Sequence, residues 1–315
     1  MIKSDKKNIA FVFPGQGAQY VGMAREFYDI PEYRAYFDIA NEKLGYDLKT
    51  IMFEGPEDEL KQTYNTQPAI LLHSFLALTH FRKNCDITPT FVAGHSLGEF
   101  TALVASNSLQ LEDAILLVHK RGKFMVKAGE GIPYKMAAIL GIGKEKVVEI
   151  CNSIDGTVIA ANFNTPSQTV ISGEADAVSI AIEECKKAGA KRAVELVVGG
   201  AFHSPLIQKS AEWMRTELEK IQFKPPEVPV ISNLTALPEI TPEDIKKNLE
   251  KQIISPVLWV ESVECMLKHG VDTFIEFGPG KVISGMIRAI DRSAKRYNID
   301  KIEDVQKVIN EIYPE

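Results

Sequence analysis

The pentapeptide Gly94-His95-Ser96-Leu97-Gly98 constrains the fold of this chain more than any other feature. An apolar run at residues 90–93 precedes it, and a helix-forming stretch begins near Leu97. A strand that turns sharply into a helix through G-x-S-x-G presents its serine above the edge of a parallel sheet. Glycines at both ends leave the backbone free to make that turn. The helix start aims unpaired N–H groups and the positive end of its dipole at the serine. The N–H of Leu97 is thereby placed to bind an oxyanion.

The flanking pattern agrees. Residues 9–13 form a buried apolar strand closed by Pro14-Gly15,. Helices are expected at 67–81, 111–127 and 205–221, and strands at 228–232 and 272–277, the latter as the last strand. Strands separated by helices imply a mainly parallel sheet covered on both faces. Between them the order changes: strand 135–140, helix 144–152, strands 157–162 and 169–172, helix 175–188, strand 191–197. That succession is the split βαβ pattern of ferredoxin-like domains. The expected fold is therefore α/β. A large α/β-hydrolase-like domain spans 1–129 and 200–315, and a small ferredoxin-like domain, 130–199, is inserted in it. Glycine pairs at Gly129/Gly131 and Gly199/Gly200 mark its edges. A final amphipathic helix carries Ile302, Val305, Ile309 and Ile312,.

Composition narrows the function classes. A formal net charge of -6 argues against a nucleic-acid partner,. Cys85, Cys151, Cys185 and Cys265 are scattered, with no C-x-x-C, so neither a metal site nor a disulfide framework is expected,. The polar residues 1–8 lack the apolar core of a signal peptide,. No run approaches the ~20 apolar residues that cross a bilayer. A cytoplasmic protein without a membrane segment is the expectation.

A serine nucleophile needs a base. Of six histidines, His73, His80 and His119 fall inside helices, His95 points away from its neighbour Ser96, and His269 sits at a helix end. His203 lies in a loop where the small domain returns to the large one, which makes it the strongest candidate without excluding the others.

Three segments together resemble the malonyl-CoA:acyl-carrier-protein transacylase family: residues 13–19 (FPGQGAQ), 94–99 (GHSLGE) and 201–204 (AFHS). The likeness extends over essentially the whole chain. It implies Ser96 as nucleophile and His203 as base, with no triad carboxylate. It implies the backbone N–H of Gln16 as a second oxyanion donor beside Leu97. Arg121 corresponds to the arginine that holds the free carboxylate of malonate; on local pattern alone it would read as a solvated helix face. The resemblance also implies that a backbone carbonyl, matched to Gln252 in a loop, orients His203. Asn162 matches a pocket position, and Phe202 resembles the malonyl-selective members. It further implies malonyl-CoA and acyl carrier protein as partners, no cofactor beyond the coenzyme A thioester substrate, a monomer, and ping-pong kinetics.

Other readings fit less well. Serine hydrolases and thioesterases share the elbow but carry their histidine after a late strand, and none follows Gly278-Pro279-Gly280,. Gly15-Gln16-Gly17 lacks the third glycine of a dinucleotide fingerprint, since Tyr20 stands there,. An acyltransferase of a polyketide pathway remains an alternative. Carrier proteins of such pathways are acidic, so docking requires a local basic patch. Lys186, Lys187, Lys191 and Arg192 form one candidate, and Arg288, Arg292, Lys295 and Arg296 another.

Overall fold

Ten strands and their helices separate into two sheets in the computed structural model, which describes residues 8–314. Residues 1–7 of the polar amino-terminal stretch lie outside the described residues. The strands are β1 (Ile9–Phe13), β2 (Phe91–Gly94), β3 (Tyr134–Leu140), β4 (Val158–Thr165), β5 (Gln168–Glu174), β6 (Arg192–Glu195), β7 (Val230–Ile231), β8 (Pro238–Glu239), β9 (Thr273–Phe277) and β10 (Lys295–Ile299).

The larger sheet has the order β10-β9-β1-β2-β7-β8 and is parallel except for the last pair. β1 is apolar at every position because both its faces are covered,. Side chains alternate across a strand. Phe11 and Phe13 therefore pack with Phe81 and Phe277 on one face, while Ala10 and Val12 join Trp259, Val263 and Ile283 on the other.

The smaller sheet is antiparallel throughout, in the order β4-β5-β3-β6. Helices Lys144–Asn152 and Ala175–Lys187 cover one face, burying Ala137, Ile139, Val147, Ile171 and Val178. Met136, Ala138 and Val170 on the other face belong to the main core, so the small sheet leans over the large one. Main-chain bonds lock the two together: Val257 N–H donates to Ala161 at 2.9 Å, and Phe163 N–H to Val257 at 3.0 Å.

The structure corrects three expectations. β9 is not the last strand, because β10 adds to the sheet edge beyond it. Its sequence, KRYNI, is too polar to signal a buried strand; an edge strand exposed on one side tolerates that,. The expected strand at 228–232 contracts to Val230–Ile231, and the short β8 hairpins onto it. Gln252 lies not in a loop but at the last position of the helix Pro242–Gln252. The carboxy-terminal helix Ile302–Ile312 docks through Val305, Val308 and Ile312. Among the described residues no helix is long and apolar enough to cross a membrane.

Candidate active site

Ser96 sits at the carboxyl end of β2 in the left-handed region, with φ 51°. Few non-glycine residues take that conformation, and it is held there by crowding on both sides. A Cβ at Gly94 would lie 1.9 Å from the Gly98 carbonyl carbon, and one at Gly98 would lie 2.2 Å from the Phe13 carbonyl oxygen. Only glycine allows the helix Gly98–Ala105 to start so close to β1 and β2. Asn233, just beyond β7, clamps the turn. Its Oδ1 accepts from Ser96 N–H at 2.6 Å and its Nδ2 donates to the Gly94 carbonyl at 2.7 Å.

His203 also adopts a left-handed backbone, with φ 58°. Its Nε2 lies 2.8 Å from Ser96 Oγ, and its Nδ1 lies 2.8 Å from the main-chain carbonyl of Gln252. A carbonyl can only accept, so Nδ1 carries the proton and Nε2 presents a lone pair to the serine hydroxyl. Burial, and then the nearby Arg121 cation, push the His203 pKa from 6.5 down to about 3. The imidazole is neutral at neutral pH and free to accept a proton at Nε2.

Arg121, in the helix Leu111–Ala128, is 1% exposed and its guanidinium is turned into the site rather than to solvent. Nη1 donates to Gln67 Oε1 at 3.0 Å, while Nη2 donates to Gln252 Oε1 at 2.8 Å and to Ser96 Oγ at 3.0 Å. Its Nε has no partner. Burial lowers its pKa to about 10, and Glu99 acts against that shift. The arginine stays charged at neutral pH, beside a cleft that holds no other cation in contact with Ser96 among the described residues.

That cleft runs between the two sheets. From the large part it is lined by Gln16, Gln67, Ser96, Leu97, Arg121 and His203, and from the small one by Met136, Asn162 and Leu196. Phe202 lines it too. All eight residues expected from the sequence therefore meet here, seven on the wall and Gln252 behind it. Neither the Gln16 nor the Leu97 N–H has an acceptor among the described residues, so both are available to a ligand. The side chain of Gln16 turns to Thr63 instead.

Sequence reasoning missed Gln67, Asn233, Glu99 and the side-chain role of Gln252. Asn233 left one usable signal: it follows a strand of a parallel sheet, and ligand sites gather at the carboxyl ends of such strands. Gln67 left none, because it lies in a helix, Thr63–Asn84, that is apolar nearly all round. The other histidines have local partners. His73 meets Asp300, His80 meets Tyr33, His119 meets the Tyr64 carbonyl, His95 meets Asn164, and His269 meets the Cys265 carbonyl. Among the described residues no group of three or more His, Cys, Asp or Glu is arranged to hold a metal ion.

The two basic clusters differ in placement. Lys186 and Lys187 pair with Glu183 and Glu184 on their own helix. Lys191 and Arg192 line a second groove that shares Val282 and Met286 with the Ser96 cleft. In the other cluster, Arg296 is turned back onto the carbonyls of Asp291, Arg292 and Ala294.

Known proteins resemble this chain over nearly its whole length. Residues 10–308 match the family described as acyl transferase domain. The chain is 44% identical over 314 residues to the malonyl CoA-acyl carrier protein transacylase of Bacillus subtilis, covering 98% of each chain. It superposes on the malonyl CoA-acyl carrier protein transacylase of Coxiella burnetii with a TM-score of 0.93 at 36% identity, covering 96% of this chain and 97% of that one. It superposes equally, with a TM-score of 0.93 at 35% identity over 97% of this chain and 100% of the other, on a malonyl-transacylase solved in complex with its type II PKS acyl-carrier protein.

Proposed function

We propose that this chain, which belongs to the acyl transferase domain family, moves a malonyl group from coenzyme A to the phosphopantetheine thiol of an acyl carrier protein through a malonyl ester on Ser96. One observation carries the reading: His203 Nε2 and Arg121 Nη2 both lie within hydrogen-bond distance of Ser96 Oγ. A nucleophile, its base and a receptor for a carboxylate thus converge on one oxygen.

In the first half-reaction His203 Nε2 takes the Ser96 hydroxyl proton as Oγ attacks the thioester carbonyl. The N–H groups of Leu97 and Gln16 bind the oxyanion. Collapse breaks the C–S bond, and His203 returns its proton to the departing coenzyme A thiol. The Gln252 carbonyl stabilises the imidazolium between these transfers by accepting from Nδ1–H. In the second half the carrier thiol gives its proton to His203 and attacks the malonyl ester; collapse breaks the C–O bond to Ser96, and His203 returns the proton to Ser96 Oγ. The kinetics are ping-pong. Arg121 holds the malonate carboxylate through a two-point hydrogen-bonded pair. Asn162 and Phe202 bound the acyl pocket. No resident cofactor takes part, since the coenzyme A thioester is substrate.

The same reading covers the architecture. The large sheet is α/β-hydrolase-like, over 1–129 and 200–315, and residues 130–199 form an inserted ferredoxin-like domain. The β-α-β-β-α-β succession and the order β4-β5-β3-β6 support this,. A cytoplasmic monomer supplying fatty-acid synthesis goes with it. The carrier docks over the groove lined by Lys191 and Arg192, which opens onto the cleft. A second reading, supply of a polyketide pathway, is favoured by the likeness to the transacylase bound to a type II PKS carrier. Comparing transfer rates to the two kinds of carrier separates them.

Intact-protein mass spectrometry after mixing with malonyl-CoA tests the reading. A malonyl-sized adduct on wild type, absent from Ser96→Ala and discharged by acyl carrier protein, supports it. Release of free malonate without transfer points to a hydrolase, and an adduct that persists in Ser96→Ala overturns the nucleophile.

A further inference from the structure

Behind the cleft lie two carboxyl groups that the proposed reaction does not use. Glu99, in the helix Gly98–Ala105, is 0% exposed. Its Oε2 accepts from Gln252 Nε2 at 2.6 Å and from Asn233 N–H at 3.1 Å, while its Oε1 has no partner. Glu239, in β8, is 3% exposed. Its Oε1 accepts from Asn248 Nδ2 at 2.5 Å and the Ser232 side chain also favours its ionised form, while its Oε2 makes no hydrogen bond. A buried, unpaired carboxylate oxygen is costly, and the side chains that hold the two carboxyls, Asn248 and Gln252, stand one turn apart on the helix Pro242–Gln252,. Burial raises both carboxyls above their ordinary range, and after burial Glu239 is the largest influence on Glu99. The other charges acting on them are Arg121, which favours ionised Glu99, and Asp244 on the helix Pro242–Gln252, which disfavours ionised Glu239. Keeping one proton spares this buried region a second negative charge.

Gln252 connects this pair to the chemistry. Its Nε2 donates to the Ser96 carbonyl at 3.0 Å as well as to Glu99, so both amide hydrogens are taken by acceptors. That forces Oε1 toward Arg121 Nη2. The main-chain carbonyl of the same residue holds His203. Without Glu99 the amide loses one of its two acceptors and becomes free to rotate. With both carboxyls ionised, a second negative charge would draw Arg121 away from the cleft.

We infer that Glu99 and Glu239 form a buried carboxyl pair that retains one proton and, through the side chain of Gln252, positions Arg121 and Ser96 for a malonyl substrate. Both are positioning residues, since neither lines the cleft. One proton leaves the pair with a single negative charge to balance the single positive charge of Arg121. This inference rests on the roles proposed above for Ser96 and Arg121.

The test measures single-turnover acylation of Ser96 in the full-length chain by malonyl-CoA and by acetyl-CoA, using intact mass. Glu99→Ala is expected to slow malonyl acylation about tenfold more than acetyl acylation, because only the former needs an oriented Arg121. Glu99→Gln restores the malonyl rate to within about threefold of wild type, because its amide oxygen still accepts from Gln252. In wild type the malonyl-to-acetyl ratio falls as pH rises and the last proton leaves, whereas in Glu239→Gln, a fixed neutral group, it stays flat. Equal loss with both substrates in Glu99→Ala, Glu99→Gln no better than Glu99→Ala, or a flat ratio in wild type each overturns the inference. If Glu99→Ala does not fold, the pH dependence of wild type against Glu239→Gln decides alone. If wild type is not acylated by malonyl-CoA at all, the functional reading falls and this inference falls with it. If it is acylated and the variants respond otherwise than stated, only the carboxyl pair is refuted.

Discussion

Arg121 Nη2 donates to Ser96 Oγ at 3.0 Å while Nη1 is held by Gln67. The guanidinium is thereby held in a geometry from which it can meet a carboxylate carried by the acyl group. Replacing Arg121 with methionine keeps the bulk and removes the fork. Two charged hydrogen bonds are each worth about 1.5–3 kcal/mol. The expected fall in kcat/KM for malonyl-CoA is roughly 10²–10⁴-fold, where 1.4 kcal/mol is tenfold. Acetyl transfer should fall little or rise. Steady-state kinetics with both thioesters checks this, and an equal loss with both would remove Arg121 from the recognition of malonate.

The titration of His203 and that of Glu239 push stability in opposite directions. The His203 pKa is lowered from 6.5 to about 3, so its contribution is complete above 6.5 and is lost as pH falls toward 3,. The Glu239 pKa is raised from 4.5 to about 7, so its contribution is complete below 4.5 and is lost as pH rises through 7,. Glu239→Gln should therefore raise Tm at mildly alkaline pH relative to wild type, and raise it least at the acid end. Calorimetric scans across pH provide the comparison; a Tm difference independent of pH contradicts the buried-carboxyl account.

Asn233 satisfies one donor and one acceptor of the strained elbow. Asn233→Ala leaves Ser96 N–H and the Gly94 carbonyl without that partner. The loss should cost about 2–4 kcal/mol in denaturant unfolding, the sum of two buried unsatisfied groups at the low end of their range. Acylation of Ser96 should slow as well, because the left-handed turn that aims Oγ at His203 loses its clamp. Unchanged stability with unchanged acylation would mean the crowding at Gly94 and Gly98 suffices by itself.

Carrier docking is separable from chemistry. Lys191→Glu combined with Arg192→Glu should raise KM for acyl carrier protein several-fold while leaving KM for malonyl-CoA within about twofold, with a steeper salt dependence in wild type. Arg292→Glu with Arg296→Glu should leave both unchanged, since Arg296 turns its Nη1 back onto main-chain carbonyls. If the second pair alone raises the carrier KM, docking lies at the β10 edge instead.

Much of this molecule was written in local pattern. The nucleophile elbow, the apolar β1 and the alternation of the small sheet are set by residues within a few positions of one another. Helix 144–152 appears where its periodicity put it. Ser96 and Leu97 follow from the elbow alone, because a strand, two glycines and a helix start specify that geometry wherever they occur. β10 was illegible for the converse reason: an edge strand is paired on one side only, so its burial, and hence its sequence signal, is halved. Tertiary structure decided which of six histidines meets the serine, since 107 positions separate Ser96 from His203 and no periodicity spans a loop closure of that length. It likewise turned Arg121 inward, where helical pattern alone reads a solvated cation. It brought Glu99, Gln252 and Asn233 together behind the elbow, and that is a matter of packing, because a buried polar group must find its partner wherever the fold delivers one.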